Sequence, residues 1–313
     1  MSPHAHGPGD HRHGTPSLGA AHDVRLLLAA SGLLLAFMAV EVVVAFAASS
    51  LALLADAGHM LTDVLALVMA VAAARLAQRP AAGVWTYGLG RLEVLSAAVN
   101  GISLLVVAAV VAVEAIRRLV NPSNVSGAAM AITAAVGLVV NLVATLILSR
   151  ADRRSLNIAG AFAHVVTDAY AFGATVVAGL VIIATDWHRA DPVASLVVVV
   201  LMLAASLKLL RRSGVVLLEA APEHVDLQVL RTHLLETGDG EVIDVHDLHA
   251  WTVGTGLPAV SAHVVVAERC FADGQAARLL DELQNCLAGH FDVEHSTFQL
   301  ELVGHTEHEP GTH

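Results

Sequence analysis

Charge is scarce in this 313-residue sequence: Asp, Glu, Lys and Arg together make up 14% of it, against roughly 25% in an average soluble domain. Basic residues are the scarcer sign, 17 Lys and Arg against 28 Asp and Glu, and a formal charge of -11 leaves no footprint for a nucleic-acid backbone. Only two cysteines occur, Cys270 and Cys286, and neither belongs to a CxxC pair, so no disulfide framework is expected. No HExxH occurs either, which removes the two-ligand, one-base helix of a zinc protease. The first residues, MSPHAHGPGDHRHG, hold no apolar h-region and no cleavage site. No signal peptide is expected, and the first apolar block is to act as its own insertion signal. Gly88 and Gly90 in TYGLGR lack the strand and helix context of a nucleotide loop and read as a turn.

What the chain has instead is hydrocarbon: 56% of its residues are hydrophobic and its mean hydropathy is +0.68. The apolar residues fall into six blocks, 26–48, 51–74, 94–115, 125–148, 158–184 and 193–210. Each is long enough to cross a bilayer core about 30 Å thick, which takes roughly 20 helical residues. An even number of spans places both chain ends on one side. Arg25, Arg75, Arg79, Arg91, Arg150, Arg153, Arg154, Lys208, Arg211 and Arg212 fall on that side, against Arg117, Arg118 and Arg189 on the other. Cytoplasmic loops carry the basic excess, so the termini are expected in the cytoplasm. Short loops point to a bacterial inner membrane.

Four regions are expected: a disordered His-rich tail over 1–23, a six-helix transmembrane domain over 24–213, a soluble domain over 214–303 and a disordered end over 304–313. In the soluble domain, 225–237 and 272–288 carry apolar residues at helical spacing, while 241–253, 258–267 and 293–302 alternate like strands. The order αββαβ predicts a small sheet with helices on one face, an α+β module small enough to favour pairing with a second copy.

Ionisable residues interrupt two of the blocks. The second reads LALLADAGHMLTDVLAL and sets His59 and Asp63 four positions apart, on one helical face, with Asp56 one turn earlier. The fifth reads GAFAHVVTDAYAFGA and repeats the arrangement with His164 and Asp168. Each charge at bilayer depth costs about 2.5–3.5 kcal/mol on insertion scales, so five ionisable residues on two spans need a purpose. Two imidazoles and two carboxylates between packed helices make a four-coordinate nitrogen and oxygen site suited to zinc. Polar pairing within the bundle explains one such pair, but less readily two matching ones. Glu41 and Asn100 are polar at depth and read as helix–helix hydrogen-bonding groups.

The sequence resembles the cation diffusion facilitator family of zinc and other divalent-metal exporters. The resemblance runs from about residue 23 to 302, on ALLADAGHMLTDV, WTYGLGRLEVLSAAVNG, HVVTD and ADPVASL in the membrane blocks and on VHDLHAWT and SAHVVV in the tail. It implies a multi-pass α-helical membrane protein with a cytoplasmic ferredoxin-like domain, a homodimer in a lipid bilayer, metal–proton antiport, and no catalysis. The transport site it implies is His59, Asp63, His164 and Asp168, of the zinc-preferring His-xxx-Asp kind, with Asp56 as a neighbouring contact or proton relay. Cobalt and cadmium share much of zinc's coordination chemistry. No resident cofactor is implied beyond the transported zinc and a regulatory zinc in the tail, held by His246, His263, His295 and Glu301. His249 lies in the same cluster, and Thr297 stands where some relatives carry a ligating Asp.

The family pattern is not followed everywhere. Gly83, Trp85 and Leu89 occupy the loop where some relatives bind a further metal, so none is expected there. SRADRRSLN, between the fourth and fifth blocks, has no His-rich stretch, which leaves metal capture to His4, His6, His11, His13 and His22. Phe172 stands one turn beyond Asp168, where a small residue is expected. Because metal binds neutral imidazole and ionised carboxylate, protons compete with it. An unperturbed imidazole titrates near 6.5, which makes pH coupling direct. Two other functions fit the same ligands: an intramembrane metalloenzyme, and a sensor that moves nothing across the membrane.

Overall fold

The computed structural model describes residues 18–47, 51–121, 126–152, 155–254, 256–272, 274–293 and 295–305, with the side chains of 18–21, 41, 44–47 and 51–63 outside that description. The N-terminal part is a bundle of α1 (Leu18–Ala47), α2 (Leu51–Ala77), α3 (Arg91–Val120), α4 (Gly127–Leu148), α5 (Leu156–Thr185) and α6 (Ala190–Leu217). Five of these are long and apolar enough to cross a membrane among the described residues, and α2 adds an apolar stretch over Val64–Ala77. Val106, Val110, Ile132, Val139, Val197 and Val200 point outward with more than half their surface exposed, the face a hydrocarbon solvent covers.

Helix ends follow local chemistry. Ser126 and Ser155 cap α4 and α5 by accepting from the Ala129 and Ile158 amides. Two boundaries differ most from the hydropathy pattern. Helix α6 runs on to Leu217, through Arg211 and Arg212, because a helix leaving the bilayer keeps its backbone bonds when its side chains turn polar. Leu18 to Asp23 belong to α1 rather than to a disordered tail, so His22 is helical and exposed. His4, His6, His11 and His13 lie outside the described residues.

Small residues let helices touch. At the α4–α5 contact, a Cβ added to Gly179 would lie 2.9 Å from both the Ala131 Cβ and the Gly127 carbonyl oxygen. Phe172 finds its room the same way: its ring lies over Gly137 of α4, where an added Cβ would sit 2.5 Å from Phe172 Cε1. Helices α3 and α6 pair through Gly101 and Leu210, and Ser206 Oγ donates to the Gly101 carbonyl at 2.8 Å. On the side of α2 and α5 nearer the chain termini, Leu27, Leu34, Leu67, Val71, Leu148 and Val165 form one buried apolar core shared by α1, α2, α4 and α5.

The tail is α7 (Leu227–Glu236), β1 (Val242–Gly254), β2 (Leu257–Val266), α8 (Glu268–Ala272), α9 (Ala276–Phe291) and β3 (His295–Leu302). The three strands expected from the αββαβ pattern form one sheet, of order β1-β2-β3, the first pair antiparallel and the second parallel. The helix expected over 272–288 is α9, but it starts later, at Ala276, and runs on to Phe291: the short α8 ends at Ala272 and Gly274 takes φ +69° between the two. Leu230, Leu234, Leu279, Leu283 and Leu287 fill the core against the sheet. Among the described residues the bundle meets the tail through Arg91 Nη2 to Glu219 Oε1 at 2.6 Å, Tyr87 edge-on to His295, and Gly90 against Gly254.

Two predictions follow from this packing. Gly137→Ala should destabilise the detergent-solubilised protein by about 1–3 kcal/mol through overpacking. Phe172→Leu in the same chain should recover much of that loss, read as the thermal unfolding midpoint. Cys270 is fully buried, and burial, with Glu241 nearby outweighing Arg278, raises its thiol pKa. Near neutral pH a maleimide should therefore label Cys286 first, with Cys270 reacting only on unfolding.

Candidate functional site

Helix α5 carries one half of the expected membrane site. Four residues apart on it, His164 Nε2 and Asp168 Oδ2 lie 3.7 Å apart, both side chains largely buried. One wall of Asp168's surroundings is a cavity of about 90 Å³, shared with Thr167, with Val107 and Val111 of α3, and with Ser195 and Met202 of α6. Thr167 turns its hydroxyl back to the Ala163 carbonyl at 2.7 Å, so it adds no unpaired donor to the helix. The other half of the expected site falls on α2. The helix runs through Asp56, His59 and Asp63, which sets the last two on one face. Their side chains, and that of Glu41, lie outside the described residues.

Helices α2 and α5 are joined by more than apolar packing. Asn157 Nδ2 donates to the Ala70 carbonyl at 2.7 Å across the interface, fully buried. Asn100 differs from its expected role as a helix–helix hydrogen-bonding group. It is 1% exposed, and both amide atoms lack a hydrogen-bond partner among the described residues. Sequence alone marks Asn100 as polar at depth but carries no signal that it is unpaired.

In the tail, sheet register assembles a second cluster. His246 of β1 stands opposite His263 of β2, and Glu301 of β3 is in register with Val265, two residues along. Glu301 Oε1 lies 2.7 Å from His263 Nδ1 and Glu301 Oε2 lies 3.3 Å from His246 Nε2. The two rings meet edge to face at 5.2 Å between centroids. All three donor atoms fit within 4.8 Å of one another, and the Glu301 carboxylate is buried. A buried carboxylate needs a cation or a proton beside it, and two imidazoles with one carboxylate are a donor set that zinc accepts. Gln299 Nε2 donates to Glu301 Oε1 at 2.8 Å and orients it.

The other expected tail residues stand apart. A register shift after His246, with Asp247 at φ +50°, turns His249 outward, where it pairs with Asp247 Oδ1 at 3.2 Å. His295 opens β3 opposite Ala259, exposed and edge-on to Tyr87 at 5.8 Å between centroids. It is six residues from Glu301, roughly 20 Å along a strand at about 3.3 Å per residue. Thr297 is exposed, in register with Ser261. The described groups of three or more His, Cys, Asp or Glu donors contain no member from the 82–90 loop.

Comparison with known proteins gives two family matches. The cation efflux transmembrane domain matches residues 27–218, and the cation efflux protein cytoplasmic domain matches residues 222–303. Zinc transporter ZitB of Escherichia coli (strain K12) is 38% identical over 292 residues, 93% of this chain and 91% of the relative. A cadmium, cobalt and zinc/H(+)-K(+) antiporter of Bacillus subtilis (strain 168) is 35% identical over 284 residues, 90% of each chain. The metal cation efflux system protein CzcD of Cupriavidus metallidurans is 35% identical over 293 residues, 94% of this chain and 90% of the relative. Among solved structures, the metal-bound C-terminal domain of the CzcD transporter is 36% identical, covering 25% of this chain and 100% of that one, with a TM-score of 0.22.

Proposed function

The chain belongs to the cation efflux family, and on that footing we propose that it exports divalent metal, zinc foremost, from the cytoplasm in exchange for protons. The observation that carries the reading is the buried His164–Asp168 pair, four residues apart on a membrane helix. Such a pair at depth is expensive unless a cation shares it. With His59 and Asp63 on α2 it supplies two nitrogen and two carboxylate donors, and two carboxylates balance a divalent charge. Two relatives, a zinc transporter and a cadmium, cobalt and zinc/H(+)-K(+) antiporter, support the same direction. Asp56 serves as a neighbouring contact or proton relay.

Coupling follows from ligand chemistry. Zinc binds neutral imidazole and ionised carboxylate, so its arrival displaces protons and a proton load from outside expels it. The chain works as a homodimer in a bacterial inner membrane with both termini cytoplasmic, giving its cell metal homeostasis and resistance. In the tail, His246, His263 and Glu301 hold a regulatory zinc that draws the three strands together when cytoplasmic metal is high. That cluster is also what a non-transporting sensor would use, so movement of metal across a sealed membrane decides between the two.

In proteoliposomes with a trapped fluorescent indicator, wild-type zinc flux should depend on an imposed pH gradient. Asp63→Ala and Asp168→Asn should each bring it to the protein-free background; flux indifferent to pH or to both variants would refute the antiport site. Separately, Glu301→Gln should remove one zinc per chain in equilibrium dialysis and leave maximal flux intact.

A further inference from the structure

The face of α3 turned toward α5 carries polar groups that the site above does not use. Glu93, Ser96 and Asn100 stand at i, i+3 and i+7, one stripe of the helix. At the cytoplasmic end of the stripe, Glu93 Oε2 accepts from Ser155 Oγ at 3.0 Å. At the other end, Val107 and Val111 line the cavity that Asp168 shares. Between them, an added Cβ on Gly160 would lie 3.7 Å from Ala97 Cα, so Ala97 and Gly160 are level. Helices α3 and α5 run in the same direction, which puts Asn100, one turn further on, level with 163–164.

Neither Asn100 nor Ser96 is explained by cohesion. Both are buried, and Oδ1 and Nδ2 of Asn100 and Oγ of Ser96 lack hydrogen-bond partners among the described residues. Helix α3 already has other ties, to α5 through Ser155 on Glu93 and to α6 through the Ser206 hydroxyl on the Gly101 carbonyl. Unpaired polar atoms at depth are costly and persist where something else uses them. Below them the stripe opens on a cavity of about 320 Å³ lined by Asp23, Gln78, Glu93, Asp152 and Ser155, an anionic mouth at the junction with the tail. The way in from the α1 and α4 side is filled by the apolar core of Leu67, Val71, Leu148 and Val165.

We propose that the divalent cation reaches the membrane site along this stripe of α3, with Asn100 as its last contact before His164 and Asp168. The inference rests on the transporter reading. An amide oxygen is a hard neutral donor: it replaces a water of a hydrated divalent ion without holding it as a carboxylate does. Oxygens at Glu93, Ser96 and Asn100 follow one another at about one-turn intervals, roughly 5 Å apart, steps short enough for hand-over. Asn100 is thus a positioning residue on the approach, not a member of the resting site.

Everted membrane vesicles, with the cytoplasmic face outward and a pH gradient imposed, test this with zinc alone as the probe. Asn100→Leu should raise the KM for zinc about tenfold, the worth of one charge-assisted contact, while kcat and equilibrium zinc binding stay at wild-type values. A wild-type KM, or a parallel loss of kcat, binding and thermal stability, would overturn the proposal. Should Asn100→Leu fail to fold, Asn100→Asp decides: a lower KM supports the contact, and an unchanged or raised KM overturns it. Absence of wild-type flux would remove the transporter reading and this proposal together, whereas wild-type flux indifferent to Asn100 removes only the latter.

Discussion

Hydrocarbon offers polar groups no partner, and that constraint governs the N-terminal two-thirds of this protein. Backbone amides are satisfied within the helices, and Thr167, Thr175 and Thr185 fold their hydroxyls back onto carbonyls four residues earlier. Apolar faces gain little from meeting one another in lipid, so association depends on close fit. Gly127, Gly137 and Gly179 remove the Cβ atoms that would hold α4 off α5. Against that background some polar groups at depth stand out: His164 with Asp168, the Asn157 amide across to α2, and Ser96 and Asn100, with no partner among the described residues.

The tail lives in water and uses a different device. A sheet register brings residues 246, 263 and 301 together although they are far apart in sequence. The carboxylate is the most buried of the three, which inverts the usual placement of Glu and makes it the group with most to gain from a cation. Gln299 and the two imidazoles hold it in place.

Much of the architecture was legible because long apolar runs have one structural solution in a bilayer, and because period-two and period-3.6 patterns differ in the tail. The limits were local. Hydropathy ends where polarity begins, but α6 continues past Arg211 and Arg212 and α1 begins before Asp23. The later start of α9, after Gly274, depends on a left-handed backbone that composition alone does not announce. Phe172 looked misplaced beside Asp168 because its counterpart, Gly137, is on another helix. His295 and Glu301 sit close in sequence, yet an extended strand separates them, whereas His263 and Glu301 meet only through pairing. Asn100 was visible as polar; that it is unpaired is a property of its neighbours.

The meeting of Gly90 and Gly254 has a mechanical side. A Cβ built on Gly254 would fall 3.1 Å from Gly90 Cα, so the two main chains bear directly on each other with no side chain between them to flex. Gly254 ends the strand that carries His246, and Gly90 immediately precedes the helix that carries Glu93, Ser96 and Asn100. A side chain at Gly254 would therefore wedge the end of β1 away from the start of α3.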